Sequence, residues 1–389
     1  MVNKKKRSLC SGCTACAETC PRKAITMIAD SLGFLYPHVD ASLCTNCGIC
    51  EKICQFNDKY NRYSNFYPPL VYSGRLKDEL ELKNSQSGGA FYAIASFVIE
   101  GGGVVYGAAF EETFKVSHLR VRDKENLEKL RLSKYVQSDI RGVYARIKED
   151  LQNDLTVLFS GTSCQVAGLK ATLPRKLHNK LLCVDIVCHG VPSPAIWKDN
   201  LEYIEKKYRS SIIAPCFRNK KFGWHGAVET YVLKNGKEVR SSTSNYLYFQ
   251  GLSLRESCAN CKYTNLYRVG DISLGDFWGL PNDSPYELDQ KGVSLILCNS
   301  QKGKVYLEYI SERLHLFEST LTDCLQPQLK EPSKLSPLRK SFVADYEVYG
   351  YKYVAKKYGN LGWYYKKEVA INFLRKVKYS IIKLIGLKK

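Results

Sequence analysis

The sequence predicts an α+β protein: a small cysteine-rich module, a larger α/β domain and a basic helical C-terminal tail. Three observations carry this. Eight of the 16 cysteines fall within the first 54 of 389 residues, in two copies of one spacing. Between residues 90 and 187, strand-like apolar runs alternate with helical ones, the order of a partly parallel sheet. From residue 339 the chain turns basic and aromatic, with apolar positions at helical spacing over residues 368–387. The length exceeds a single typical core. The boundaries read from these shifts are 1–58, 70–207, 208–338 and 339–389, with 57–69 a polar, tyrosine-rich linker ending at Pro68-Pro69.

Composition narrows the class. Apolar residues make up 44% and charged residues 25%, ordinary for a globular chain. The start, Met1 to Arg7, is basic but has no apolar stretch behind it, unlike a secretory signal. No apolar run approaches 18 residues, so no helical membrane span is expected. A cytoplasmic location follows, with reduced thiols suited to metal ligation or redox chemistry rather than disulfides.

The N-terminal module comes first. Cys10, Cys13, Cys16 and Cys20 recur 34 positions later as Cys44, Cys47, Cys50 and Cys54, and Ser8-Leu9 recurs as Ser42-Leu43. Two copies of one unit explain this. Between them, residues 24–27 and 35–37 flank a turn at 30–33 and read as a hairpin. Cys10-x2-Cys13-x2-Cys16-x3-Cys20-Pro21 is the run of a bacterial two-cluster ferredoxin. Three cysteines at two-residue gaps wrap one 4Fe-4S cubane, and the fourth binds the other. Cys10, Cys13, Cys16 and Cys54 are thus expected to hold one cluster, and Cys44, Cys47, Cys50 and Cys20 the second. Gln55 stands where the second copy would have proline. Proline there ligates nothing, so the departure is expected to be minor. Zinc is the competing reading, but zinc knuckles lack a third cysteine at the next two-residue step.

In the larger region, residues 90–100 read as a helix stopped by Gly101-Gly102-Gly103, and 104–110 as a strand. Residues 155–159 read as a strand, 160–165 as a loop, 166–173 as a helix and 181–187 as a strand ending at Cys188. Beyond residue 210 strands and long loops dominate, with a hairpin around Asn235-Gly236.

Four further cysteines sit in suggestive places. Cys164 lies in Gly161-Thr162-Ser163-Cys164-Gln165, Cys188 precedes His189-Gly190-Val191-Pro192, and Cys258 and Cys261 form a Cys-x2-Cys. Spacing alone leaves half of a zinc knuckle and an inert buried thiol open. The segments 161–170, 188–194 and Gly270-Asp271-Ile272-Ser273-Leu274-Gly275-Asp276-Phe277-Trp278-Gly279 resemble the coenzyme F420 hydrogenase/dehydrogenase beta-subunit family. So do Ser85-Gln86-Ser87-Gly88-Gly89 and Ser133-Lys134-Tyr135-Val136-Gln137-Ser138. The resemblance spans about residues 1–340. It implies an N-terminal two-cluster ferredoxin, a further 4Fe-4S cluster ligated by Cys164, Cys188, Cys258 and Cys261, and FAD. Members of the family differ in their acceptors, so the substrate stays open. Cys183, Cys216, Cys298 and Cys324 match no motif, and Cys183 and Cys298 read as packing residues.

No G-x-G-x-x-G follows a strand, and no Walker loop is present. A flavin would therefore bind without a Rossmann fingerprint. Ser87, Gly88 and Gly89, opening a helix, are the expected phosphate seat, with Lys134 adding charge. The competing reading is a helix cap and a solvated lysine. Asp271, Asp276 and Trp278 form a dense polar and aromatic motif, and His225 reads as a surface histidine.

The reading is an iron–sulfur flavoprotein oxidoreductase acting on an unidentified small molecule, with an electron-transfer subunit wiring a partner enzyme as the alternative and a zinc-stabilised binding protein as a third. The net charge of +20 is spread along the chain and matches no nucleic-acid motif. An acidic ferredoxin is the better partner for it. The amphipathic basic helix at 368–387 reads first as packed on the protein's own surface and second as a weak contact with anionic membrane.

Overall fold

The computed structural model describes residue 2, residues 6–57 and 65–363, and residues 365 and 367. The helix expected at 368–387 and linker residues 58–64 lie outside them.

In the N-terminal module, β1 (Ile25–Ala29) pairs antiparallel with β2 (Leu35–Val39), Ile25 opposite Val39. Asp30 Oδ1 closes the turn by accepting from Leu32 N and Phe34 N. The expected hairpin is present because a carboxylate at the turn start supplies the acceptor that two turn amides need.

Eight strands make the main sheet: β3 (Leu70–Leu76), β4 (Val104–Phe110), β5 (Val116–Val121), β6 (Val157–Thr162), β7 (Leu181–Ile186), β11 (Ile272–Asp276), β12 (Ser294–Cys298) and β13 (Leu314–Glu318). Their order is β13-β3-β12-β11-β7-β6-β4-β5. The four central strands, β4, β6, β7 and β11, run parallel, and the flanking ones are antiparallel. Strands on both sides of position 207/208 share this sheet. A three-stranded antiparallel sheet, β8 (Ile212–Cys216), β9 (Glu229–Leu233) and β10 (Glu238–Ser241), stands beside it and contains the Asn235-Gly236 turn.

Alternation along the strands divides the core. Val105, Leu158, Leu182, Val184 and Ile272 face α1 (Ala90–Glu100) and α5 (Gln301–Ile310). Val104, Tyr106, Val157, Phe159 and Cys183 face α2 (Val143–Gln152) and α3 (Ser163–Thr172). Two more helices, α4 (Pro194–Tyr208) and α6 (Arg339–Lys357), pack together at one end. The start of the tail is thus built into the body: Phe342, Val354 and Ala355 are fully buried with Leu32, Phe34 and Ile196.

One element departs from the sequence reading. No loop separates strand from helix at 160–165. β6 runs to Thr162 and α3 starts at Ser163. Thr162 and Gln165 form a capping box, each satisfying the other's backbone amide. With those donors answered, the strand hands over to the helix directly.

The module is fastened to the body by directed contacts. The Glu18 carboxylate accepts from Gly142 N and Ala145 N, capping the N-terminus of α2. Ser193 Oγ donates to Leu32 O at 2.6 Å. A Cβ on Gly168 of α3 would lie 3.1 Å from Cys13 Sγ and 2.9 Å from Tyr144 Oη, so glycine is what lets the first cysteine loop close on this helix.

Candidate metal centres and active site

The twelve motif cysteines line three separate cavities, four to each. Cys10, Cys13, Cys16 and Cys54 surround the first, cage I, of about 430 Å³. Cys20, Cys44, Cys47 and Cys50 surround cage II, about 610 Å³. Cys164, Cys188, Cys258 and Cys261 surround cage III, about 550 Å³. Left-handed turns at Gly12 and at Gly48, with φ of 68° and 74°, curl the two N-terminal loops around their cages. In cage III, Cys164 sits in the first turn of α3, Cys188 two residues beyond β7, and Cys258 and Cys261 on and just after the turn Glu256–Asn260.

The donor chemistry suits iron–sulfur clusters. Sulfur atoms receive protein hydrogen bonds: Ala24 N to Cys20 Sγ at 3.3 Å, Gly190 N to Cys188 Sγ at 3.3 Å and Val191 N to Cys258 Sγ at 3.4 Å. Thr162 Oγ1 stands 3.1 Å from Cys164 Sγ. Burial pushes the Cys13 thiol up to about 12, Cys164 to about 11 and Cys258 to about 12. Burial outweighs the hydrogen bonds that favour the thiolates; a bound cationic metal core would reverse that balance. Among the described residues, no group of three or more His, Cys, Asp or Glu side chains is tight enough for a single metal ion. Four cysteines to a cage is the ligand count of a cubane, whose four irons stand at separate corners.

Cage II lies outermost, with Cys47 exposed. Cages I and III meet. Ser11 and Phe56 of the module line cage III beside its cysteines. Gln55, 2% exposed, donates from Nε2 to both Ser11 Oγ and Cys164 O at 2.8 Å. Its replacement of proline is therefore not minor, because proline has no side-chain donor and could make neither bond. The missed signal was a polar side chain at a position due to be buried.

A cleft of about 1210 Å³ opens next to cage III. Its floor comes from the carboxyl ends of the parallel strands: Ser160 and Gly161 of β6, Ile186 and Val187 at the end of β7, Leu274 to Asp276 of β11. This is where open α/β sheets bind ligands. Ser87, Gly89 and Lys134 line it, and Gly88 does not. The expected phosphate seat needs correcting. Ser87 Oγ donates to Val293 O at 2.7 Å, and the amides of Gly88 and Ala90 both donate to Ser294 Oγ. Glycine is needed at 88 because a Cβ would meet Gly74 O at 2.2 Å. These groups build the turn and have no donors left for phosphate.

Other groups on the cleft wall do have donors. Both side-chain polar atoms of Gln86 are buried without a partner, as is Nε of Arg131. Lys134 donates to Lys129 O and Arg131 O, and burial lowers its pKa to about 7. Lys220 does not line the cleft, and its Nζ uses its three donors to clamp the 82–87 turn, on Leu82 O, Ser85 O and Ser87 O at 3.0 Å each. Arg218 pairs with Asp276 at 2.7 Å, and Trp224 Nε1 donates to the same carboxylate. An amide with open donor and acceptor, several cations and an apolar floor fit a flavin dinucleotide. Asp271 is structural, its carboxylate accepting from Cys183 N and Ser300 Oγ. His225 is exposed and bonded to Glu287, away from the cleft wall. Cys183 and Cys298 are buried in β7 and β12.

Residues 154–323 match the family described as the C terminus of the coenzyme F420 hydrogenase/dehydrogenase beta subunit, and residues 9–57 match the 4Fe-4S dicluster domain. Among solved structures, the chain is similar to one from the F420-reducing NiFe hydrogenase complex of Methanosarcina barkeri, studied by xenon derivatization. The likeness has 17% identity and a TM-score of 0.45, and covers 75% of this chain and 94% of that one. No curated protein matches. The chain is an iron–sulfur electron-transfer protein of oxidoreductase type. No helix among the described residues is long and apolar enough to cross a membrane.

Proposed function

We propose, from the premise that this chain carries the beta-subunit region of the coenzyme F420 hydrogenase/dehydrogenase family behind a 4Fe-4S dicluster domain, that it is a three-cluster flavoprotein oxidoreductase. Cage II receives or delivers single electrons at the surface, cage I relays them, and cage III passes them to the cleft. FAD, when bound there, supplies the exchange between one-electron carriers and a hydride equivalent. The chain's own part is to hold and insulate. Gln86 and Arg131 offer buried polar atoms to the cofactor, and Lys134 offers charge to its diphosphate. Ile186, Val187 and Leu274 form an apolar floor. A small substrate enters from the cleft's open side, and an acidic ferredoxin docks on the basic surface in the cytoplasm.

One observation carries this reading. The same two strand ends serve both sites: Gly161 and Val187 line the cleft, while Cys164 and Cys188, a few residues on or immediately next, line cage III. A cluster and a flavin placed there would be neighbours by covalent connection. Cofactor analysis of anaerobically purified full-length protein tests it. The expected result is about twelve irons per chain, four per cubane, with one FAD. Fully loaded clusters with no saturable FAD binding would leave an electron-transfer subunit that wires a partner.

A further inference from the structure

Arg255 is fully buried at the seam between cages I and III. Its Nε donates to Cys10 O at 2.7 Å, Nη1 to Gln137 Oε1 at 2.9 Å and Nη2 to Leu35 O at 2.8 Å. Nη2 also stands 3.8 Å from Cys10 Sγ, and the guanidinium lies 4.2 Å from the centre of the Tyr36 ring. The same side chain lines cage III. Gly12 of the cage I loop comes so close that a Cβ there would lie 2.8 Å from Nη1. Among the described residues, every hydrogen-bond partner is a carbonyl, an amide oxygen or a thiol, and none is a carboxylate.

A full charge buried without a counter-ion is strongly unfavourable, and proteins pair such charges. The carboxylates of Asp30 and Glu256 act electrostatically on Tyr36 beside the guanidinium, but neither bonds it; the anions that would adjoin it directly are the thiolate-ligated clusters of cages I and III. Among the described residues, the arginine on the wall of cage II, Arg22, is exposed, and solvent screens it. A cluster gains negative charge on reduction. A fixed positive charge in a dry setting therefore stabilises its reduced form and raises its potential.

We propose that Arg255 is the shared counter-charge of cages I and III, setting their reduction potentials above that of cage II. Electrons arriving at the exposed cage then fall inward, towards the cleft. The inference rests on the three-cluster reading, and the experiment separates the two. Full-length protein is reconstituted anaerobically as wild type, Arg255→Met and Arg255→Lys. Its iron is counted and its cluster potentials are read by redox titration followed by electron paramagnetic resonance, with the cage II signal assigned through Cys47→Ser. In Arg255→Met two of three potentials should fall while that of cage II stays. In Arg255→Lys, which keeps the charge and loses the forked contacts, all three should stay near wild type. A null shift, an equal shift of all three, or an Arg255→Lys shift as large as that of Arg255→Met overturns the inference. Should Arg255→Met fail to hold iron, Arg255→Lys alone decides: potentials like wild type support the charge, displaced ones overturn it. Wild type with fewer than three clusters overturns the underlying reading and this inference with it.

Discussion

Gln55 reaches 109 positions along the chain to donate to Cys164 O, so the last residue of the second cysteine run is tied to the first cysteine of cage III. It also holds Ser11 Oγ of the cage I loop. Gln55→Leu, of similar bulk but without the amide, should leave a buried hydroxyl and a carbonyl unanswered, a cost of about 1–3 kcal/mol. The check is thermal loss of visible cluster absorption in the reconstituted protein. The variant should bleach at a lower temperature with the same starting iron content. An unchanged melting curve would show that this bond contributes nothing to the seam.

Lys134 gives the cleft a pH dependence. Burial holds its pKa at about 7, from an ordinary 10.5, so its charge is present below that pH and lost above it. If the charge meets the flavin diphosphate, FAD affinity should fall as pH rises above 7, by up to about tenfold per pH unit. Equilibrium dialysis of wild type and Lys134→Gln from pH 6 to 9 checks this. The variant should bind more weakly at pH 6 and show little slope. Parallel slopes would place the titrating group elsewhere.

Glu229 offers a test of the body apart from any cofactor. It is fully buried in β9, with carboxylate oxygens accepting from Tyr231 Oη at 2.7 Å and from Asn245 N. Burial raises its pKa to about 7. Between the unfolded value near 4.5 and this one, the folded chain keeps a proton that the unfolded chain releases. Stability should therefore fall as pH rises through that window, by at most about 1.4 kcal/mol per unit, and flatten above it. Glu229→Gln removes the titration. In denaturant melts its stability relative to wild type should be higher at pH 8 than at pH 5. No relative change between the two would contradict the assignment.

The parts legible in the sequence were those set by local chemistry. The doubled cysteine run carries its own sorting into cages because a cubane needs four thiolates at fixed gaps. The hairpins follow from turn residues, and α1 and β4 from apolar period and glycine stops. Cage III was legible only by resemblance. Its cysteines span 98 positions and meet because β6 and β7 end side by side, which spacing cannot reveal. The phosphate seat misread Ser87 and Gly88 because backbone amides at a helix start look free in sequence. Whether Ser294 of β12 fills them is a matter of tertiary packing. Arg255 was passed over, and Gln55 read as a minor departure, for the same reason: their partners lie 245 and 109 positions away.

The last prediction separates an enzyme from a wire. Cys258 belongs to cage III alone, and Val191 N is the backbone donor to its sulfur. It does not line the cleft. Cys258→Ser should therefore lower or abolish occupancy of cage III, taking the iron count from about twelve towards about eight, without removing a group that would touch FAD. The consequence differs by electron donor. A chemical reductant acting on the flavin directly should still drive turnover of a small acceptor at close to the wild-type rate. Reduced ferredoxin, which must cross cages II, I and III in turn, should lose most of its activity. If both donors fail equally with FAD still bound, cage III supports the cleft's structure rather than its electron supply. If wild type with full clusters binds no flavin and neither donor drives turnover, the cleft is not a flavin site and the cages serve a partner protein.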